Sequence, residues 1–543
     1  MPTKPVVPGR AVQPGAPPSQ PAPTRPSRPL ATPRETLAIS LLDTLDASRV
    51  SSPHLEAQGD SFQVLPEGNR SFRNPWVSRE RGRYDRRVVW TDGETHQWAL
   101  RSALTLPAPA AASWDIDVPA GAALTTDVAV GARVTADGPV TVTVKATVDG
   151  GVRTLLEQDF PVTPVHRLKA WTPLRVELGS LAGKRVALEI AVSPKDPGRG
   201  YRYTAFFASP NIVTTSPDAA RALTGLRAPP NILLLVVDAQ RADTIGQRRV
   251  DRGVLPRLFP TLEGVVDAGT ELTQAFAVGN QTRLSTYSFL AGQYPTYGGW
   301  HLARWNYPED VKQGFYDRAP PLLPPLLRRL GYRTAAVSNN LFLFGNMEVS
   351  LDVGFDAVTD HRDGVEDTVW ITDSANDWLT RHKDERWFLM VNYNGPHLPY
   401  LPPKAVMAEL GPKIEGVDGY SKPYLGEIAY TDGYVARLLA HLDALGLAQD
   451  TVVVLTADHG EVMDKRHQCY ADNWDSNCLH NHGKTLFDEE VHVPLAFRWP
   501  GKIGEARKIT TPISHIDLGP TLLGLVGAPI DPQLLGRDVS AAL

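Results

Sequence analysis

The sequence predicts an α/β protein: a doubly wound, mainly parallel sheet in its C-terminal part, preceded by a β-sandwich. Three observations carry this expectation. Two hydrophobic runs, Asn231-Ile-Leu-Leu-Leu-Val-Val-Asp238 and Thr451-Val-Val-Val-Leu-Thr-Ala-Asp458, each end in aspartate. Continuous aliphatic and β-branched runs of this length read as strands covered on both faces. From about residue 228 onward, strand-like and helix-like stretches alternate, the pattern of a doubly wound domain. From about 75 to 215 the texture is different: short alternating strands, separated by Gly, Pro and Asp turns with no helical period, indicate a sandwich.

Composition sets the bounds. The chain has 543 residues, 42% hydrophobic and 21% charged, enough for two or three globular domains. A net charge of −5 argues against a generic polyanion binder, so no nucleic-acid partner is expected. No stretch approaches the ~18–20 apolar residues that span a bilayer, and no transmembrane segment is expected. The opening Met-Pro-Thr-Lys-Pro lacks the apolar core of a secretory signal. The only cysteines, Cys469 and Cys478, leave three readings open. A local disulfide would contribute about 2–3 kcal/mol and favour an oxidising compartment. Two free thiols, or a zinc site with His467, His480 and His482, are the others. Location and oligomeric state stay open, with periplasmic or extracellular placement weakly favoured by the sandwich and the cysteine pair.

Taken in order, residues 1–36 repeat proline among small polar residues and read as a tail that cannot bury enough surface to order itself. Residues 37–74 are expected to form a short helical connector, because Leu37, Ile39, Leu41, Leu42 and Leu45 suggest an amphipathic segment. Within 75–215, Ser113-Trp-Asp-Ile-Asp-Val, Val140–Val148 and Arg185–Val192 alternate as strands. Trp171–Leu178 and Tyr203–Ile212 are similar to the last strands of a carbohydrate-binding jelly roll, a likeness of fold that does not establish sugar binding. In 228–543, Pro321–Leu330 is predicted helical and runs into a strand at Thr334–Ser338. Trp387–Tyr393 is predicted as a strand and Gly426–Leu445 as a helix leading into the second aspartate-ended run. No internal repeat is visible.

Ligands in open α/β sheets gather beyond the carboxyl ends of the strands. Asp238 and Asp458, the latter followed by His459-Gly460-Glu461, would arrive there together and make a metal site. One isolated Val-Val-Asp would be better explained as a helix cap. Two matched runs, one extended by His-Gly-Glu, reverse that preference.

Between these runs lies Gly279-Asn-Gln-Thr282-Arg283-Leu-Ser285, leading to Ala291-Gly-Gln-Tyr-Pro295. With Val-Val-Asp238-x-x-Arg-Ala-Asp243, Gly331-Tyr-Arg-Thr, Pro396-His397-x-Pro-Tyr400, Ala457-Asp-His-Gly-Glu461 and His482-Gly-Lys484-Thr-Leu-Phe-Asp-Glu, residues 228–543 resemble the sulfatase-like branch of the alkaline phosphatase superfamily. Val493-Pro-Leu, Trp499-Pro-Gly and Asp517-Leu-Gly-Pro-Thr-Leu-Leu extend the match. Sulfatases carry Cys or Ser in Cys-x-Pro-Ser-Arg, oxidised to formylglycine, ten residues before a Thr-Gly pair. Counting back from Gly292 places Thr282 at that position. A register aligning Arg283 with the motif arginine would put Gly279 there and make the protein inactive; it requires a three-residue insertion and is set aside.

The resemblance implies the remaining roles. Asp238, Asp458, His459 and Thr282 match metal ligands. The single aspartate at Asp238 is similar to the phosphonate monoester hydrolase branch, and Mn, Zn or Fe suit the donor set better than Ca or Mg. One divalent ion is expected, because the family's second-metal Asp-x-x-x-His unit has no counterpart in the right place. His397 matches the group near the leaving oxygen, and Lys484 the cation on a non-bridging oxygen, a role Arg283 could share. Asn339 and Asn340 stand where sulfatases place Lys-x-His and are candidate substrate contacts with His482. The Asp488–His492 spacing of a second metal site is in the wrong place. A threonine hydroxyl cannot become formylglycine, but it can attack phosphorus directly. The expected function is a metal-dependent hydrolase of small anionic esters or glycan esters, phosphate or phosphonate ahead of sulfate. A phosphoryl transferase to a lipid or glycan alcohol, and a non-catalytic glycan-binding protein, are the alternatives.

Overall fold

The computed structural model describes residues 36–41, 44, 49–51, 85–91, 97–132, 139–164, 172–195, 203–214, 229–298, 320–340, 343, 351, 355–361, 368–464 and 481–543. The proline-rich stretch 1–35 and both cysteines, with His467 and His480, lie outside the described residues.

The N-terminal strands are β1 (Thr36–Ser40), β2 (Val50–Ser51), β3 (Asp85–Thr91), β4 (Gln97–Pro107), β5 (Ala110–Asp117), β6 (Ala122–Ala132), β7 (Val140–Val148), β8 (Gly151–Phe160), β9 (Thr163–Pro164), β10 (Thr172–Glu177), β11 (Arg185–Pro194) and β12 (Tyr203–Thr214). Five of them form one sheet in the order β2-β5-β11-β7-β8. Its inner strands alternate buried and partly exposed residues, as a sheet with one covered face must. The covered side chains, among them Trp114, Val142, Val144, Leu188 and Ile190, share a core with Leu104, Leu124, Leu174, Phe207 and Ile212 of the facing strands β4, β6, β10 and β12.

The segment expected as a helical connector is corrected here. Thr36–Ser40 is a strand, paired antiparallel with β12, and Val50–Ser51 pairs with β5. Ala38 is exposed, while Ile39 is partly buried and Leu41, two residues further on, is fully buried, the period of two that a strand edge rewards. The indole of Trp114 donates to the Leu41 carbonyl at 2.9 Å and fixes the chain there.

The C-terminal strands are β13 (Asn231–Val237), β14 (Thr270–Leu272), β15 (Ala275–Phe276), β16 (Arg333–Ser338), β17 (Ala357–His361), β18 (Trp387–Tyr393), β19 (Thr451–Thr456), β20 (Leu495–Arg498), β21 (Arg507–Ile509) and β22 (Ile513–Ser514). The two halves of the chain are not separate sheets. The 11-residue strand β4 pairs with β12 through Ala103–Pro107 and with β17 through Gln97–Leu100. At about 3.3 Å per residue, one strand of this length can serve both. The result is a 15-stranded sheet whose path runs β10-β6-β12-β4-β17-β16-β18-β13-β19-β20-β14-β21.

Strands β13, β18 and β19 are buried at every residue, because helices cover both faces. Ile232, Leu234 and Val236 face Tyr287, Phe289 and Leu290 of the helix Thr282–Ala291. Leu233, Leu235 and Val237 face the helices Pro260–Asp267, Thr368–His382 and Lys422–Ala444 on the other side. The last of these begins four residues earlier than the sequence suggests, with Pro423 in its first turn. The strands β16, β18, β13 and β19 are adjacent and parallel, so their carboxyl ends lie side by side. Among the described residues no helix is long and apolar enough to cross a membrane.

Candidate metal centre and active site

Four neighbouring strand ends build the site. Asn339 and Asn340 follow β16, Asn394 and His397 follow β18, Asp238 follows β13, and Asp458 and His459 follow β19. The ligand atoms of Asp238, Asp458 and His459 all lie within 4.8 Å of one another, and all three residues are buried. His459 Nε2 is 3.7 Å from Oδ1 of Asp238 and 3.4 Å from Oδ2 of Asp458.

The turn after β13 is tightly held. Ala239 has a left-handed φ of 58°, unusual for a residue with a Cβ. In that conformation its N–H donates to Oδ1 of Asp458 at 3.1 Å, and its carbonyl accepts from the buried Tyr424 hydroxyl at 2.8 Å. Strain of this kind persists where surrounding contacts over-determine it, commonly at functional sites. Arg241, fully buried just beyond, pairs with Asp243 and Glu489.

Asp238 Oδ1 and Asp458 Oδ2 are buried without a hydrogen-bond partner. Burial, and then the neighbouring Asp458, pushes the Asp238 carboxyl well above the usual carboxylate range. Two carboxylates forced together out of water are costly unless a cation joins them. His459 contributes a lone pair: its Nδ1–H donates to the Gly460 carbonyl at 2.8 Å, which leaves Nε2 facing the carboxylates. Burial holds this imidazole below its ordinary pKa, in the neutral form that binds metals. The donor set therefore fits a divalent ion.

Thr282 is the first residue of its helix, as its place before Ser285–Leu290 suggests. Its hydroxyl is 3.3 Å from Nε2 of His459 and 3.5 Å from Oδ2 of Asp238. The Ser285 hydroxyl turns away and donates to the Gly279 carbonyl at 2.8 Å. Arg283, in the first turn, is buried.

A second tier surrounds this cluster. Asn340 donates to Oδ2 of Asp238 at 2.7 Å, and Asn339 is buried beside it. The ring of His482 lies 4.1 Å from that of His459 and 4.8 Å from that of His397. Burial, and then His397, pushes His482 down to about 3, so it is neutral. Lys484 stands two residues further on the exposed side of the same loop. Asp488 and His492 line a different cleft of about 910 Å³, and His492 Nε2 faces the Thr273 carbonyl at 3.0 Å. That spacing supplies nothing to the cluster.

The chain matches the family model "Sulfatase" over residues 230–528, more than half its length. It belongs to the sulfatase family. The steryl-sulfatase of Rattus norvegicus is 30% identical over 176 residues, 32% of this chain and 29% of that protein. The ulvan-active sulfatase of Formosa agariphila is 30% identical over 188 residues, 31% of this chain and 34% of that protein. The chain thus spans about a third of the length of these relatives. Among solved structures, the phosphonate monoester hydrolase of Silicibacter pomeroyi aligns with TM-score 0.43 and 22% identity, covering 58% of this chain and 76% of that one.

Three further residues contact the loops of the candidate site and were not singled out in the sequence. Glu461 contacts His482, Tyr400 contacts Glu461, and Glu490 receives the hydroxyl of Thr485 beside Lys484. The first two stand inside the quoted Asp-His-Gly-Glu and Pro-His-Leu-Pro-Tyr motifs, a signal that was present in the sequence but had no geometry attached.

Proposed function

We propose that this chain is a metal-dependent hydrolase of anionic esters in which Thr282 is the nucleophile and phosphate or phosphonate esters are preferred to sulfate esters. The observation that supports it most is the Thr282 hydroxyl, 3.3 Å from His459 Nε2 and 3.5 Å from Asp238 Oδ2. Beside it lie the two unpartnered carboxylate oxygens. Threonine carries a methyl on its hydroxyl carbon, so the aldehyde-hydrate route of formylglycine enzymes is closed, and direct attack through Oγ1 is what the residue offers.

Asp238, Asp458, His459 and Thr282 would hold one divalent ion, for which mixed oxygen and imidazole donors suit Mn, Zn or Fe better than Ca or Mg. Bound there, the ion lowers the pKa of the neighbouring hydroxyl and offsets charge on the transferred group. The chain's own residues do the rest. The helix N-terminus at Thr282 receives the anionic group. Lys484 and Arg283 neutralise its non-bridging oxygens. Asn340 holds Asp238, and Asn339 and His482 border the substrate. Oγ1 of Thr282 gives up its proton to solvent and bonds to phosphorus as the bond to the leaving alcohol breaks, and His397 delivers a proton to the departing oxygen. Water then attacks the same phosphorus and gives a proton back to His397, the bond to Oγ1 breaks, the phosphate or phosphonate departs, and Oγ1 takes a proton from solvent.

The test is a metal-supplemented assay on an aryl sulfate, a phosphate monoester, a phosphodiester and a phosphonate monoester, with Thr282→Ala as control. Turnover of a phosphorus ester ahead of the sulfate, abolished in the variant, is the expected result. Undiminished activity in Thr282→Ala removes the nucleophile assignment. Stable phosphorylation of Thr282 without water-dependent turnover would indicate a transferase instead.

A further inference from the structure

His482 borders the substrate, but its orientation depends on a residue with no role so far. Glu461 is fully buried, and its two carboxylate oxygens face different loops. Oε1 lies 3.0 Å from Nδ1 of His482, and Oε2 accepts a hydrogen bond of 2.7 Å from the Tyr400 hydroxyl. Glu461 itself stands two residues after His459, Tyr400 three after His397, and His482 two before Lys484. One carboxylate thus joins the three loops that carry these groups.

The pairing also bears on a proton: the Tyr400 hydroxyl donates to Oε2, and with the carboxylate ionised Oε1 accepts from the imidazole nitrogen facing it, which then carries the hydrogen. With Nδ1 protonated, a neutral ring has its lone pair at Nε2. Tyr400 occupies the other oxygen and stops the carboxylate rotating away from the ring. We propose that Glu461, backed by Tyr400, is a positioning residue that locks His482 in the Nδ1–H tautomer and presents Nε2 to the substrate. The inference rests on the proposed hydrolase only for what Nε2 does there; the tautomer is a property of the folded chain.

The glutamine variant separates this role from a structural strut. In Glu461→Gln the amide oxygen can accept from His482 while the amide nitrogen donates to the Tyr400 oxygen, so both contacts survive without the charge. In Glu461→Ala both are lost. The readout is nitrogen NMR of histidine-labelled, metal-free protein, with the His482 signal assigned through His482→Gln, alongside kcat and KM. Wild type and Glu461→Gln are expected to show the Nδ1–H pattern, and Glu461→Ala a mixture of tautomers. A fall in kcat on the order of 10²-fold with little change in KM is expected for the alanine variant, and at least a tenfold recovery for glutamine. An Nε2–H pattern at His482 in the wild type overturns the proposal, even if the alanine variant does not fold. So does a glutamine variant that keeps the tautomer yet is as impaired as alanine. Thr282→Ala should keep the wild-type His482 pattern, so a failure of the nucleophile assignment stays distinguishable from a failure here.

Discussion

Asn340 donates a hydrogen bond of 2.7 Å to Oδ2 of Asp238, although its strand, β16, is separated from β13 by β18. The same nitrogen also reaches Oδ1 of Asn394, at the end of the intervening strand, at 3.1 Å. One amide therefore links three adjacent strand ends and holds Asp238 so that its other oxygen faces His459.

Removing that amide should weaken metal binding. The Asn340 hydrogen bond favours ionised Asp238, against burial and the neighbouring Asp458, which oppose it. Asn340→Ala is expected to lower affinity for Mn or Zn by about 10–100-fold, the usual cost of losing an outer-shell partner. Isothermal titration of metal-stripped protein measures this, and unchanged affinity would deny Asn340 the role.

Gly460 has no room for a side chain. A Cβ there would run into the Glu489 carbonyl, while the Gly460 N–H donates to the Glu490 carbonyl at 2.7 Å. Gly460→Ala must therefore push the His459 loop away from the short helix Asp488–Val491. A stability loss of about 1–3 kcal/mol, the cost of overpacking, is expected in denaturant titration, together with weakened metal binding. A variant as stable as wild type would show that the loop yields freely.

Burial raises the Glu490 carboxyl from 4.5 to about 7, although the Thr485 hydroxyl and the backbone N–H groups of Gly483, Lys484 and Thr485 hydrogen-bond to it. The folded protein then binds more protons here than the unfolded chain, so this contribution to stability is full below pH 4.5 and is lost as pH rises through about 7. Glu490→Gln cannot ionise. Its stability relative to wild type should climb between those two values and level off above them, by on the order of 3 kcal/mol at most. Thermal melts of both proteins across pH 4 to 9 test this; a pH-independent difference would contradict it.

Much of this site could be read from the sequence, for physical reasons. Asn231–Val237 and Thr451–Thr456 are strands covered on both faces, and such strands are apolar along nearly their whole length. The polar residues that follow them, Asp238, Asp458 and His459, therefore stand out. Thr282 could be placed by counting from Gly292, whose left-handed φ of 57° ends the helix that Thr282 begins. The strand Thr36–Ser40 was misread because Leu37, Ile39, Leu41, Leu42 and Leu45 fit a period of two over part of their length and a helical period over the rest. The pairing of β4 with β17 joins residues about 260 positions apart and leaves no local trace. Asn340 was legible only as the lack of an expected Lys-x-His. Its partner, like those of Glu461 and Glu490, is set by how the loops pack over the strand ends.

The covalent step on Thr282 is the most direct test of the account. Protein supplied with Mn and a phosphate or phosphonate ester would be quenched within single turnovers and its peptides analysed by mass. The account predicts a transient phosphoryl or phosphonyl group on the peptide containing Thr282, located at residue 282 by fragmentation and absent from Thr282→Ala. Full turnover with residue 282 unmodified, in an enzyme whose Thr282→Ala variant remains active, would contradict it.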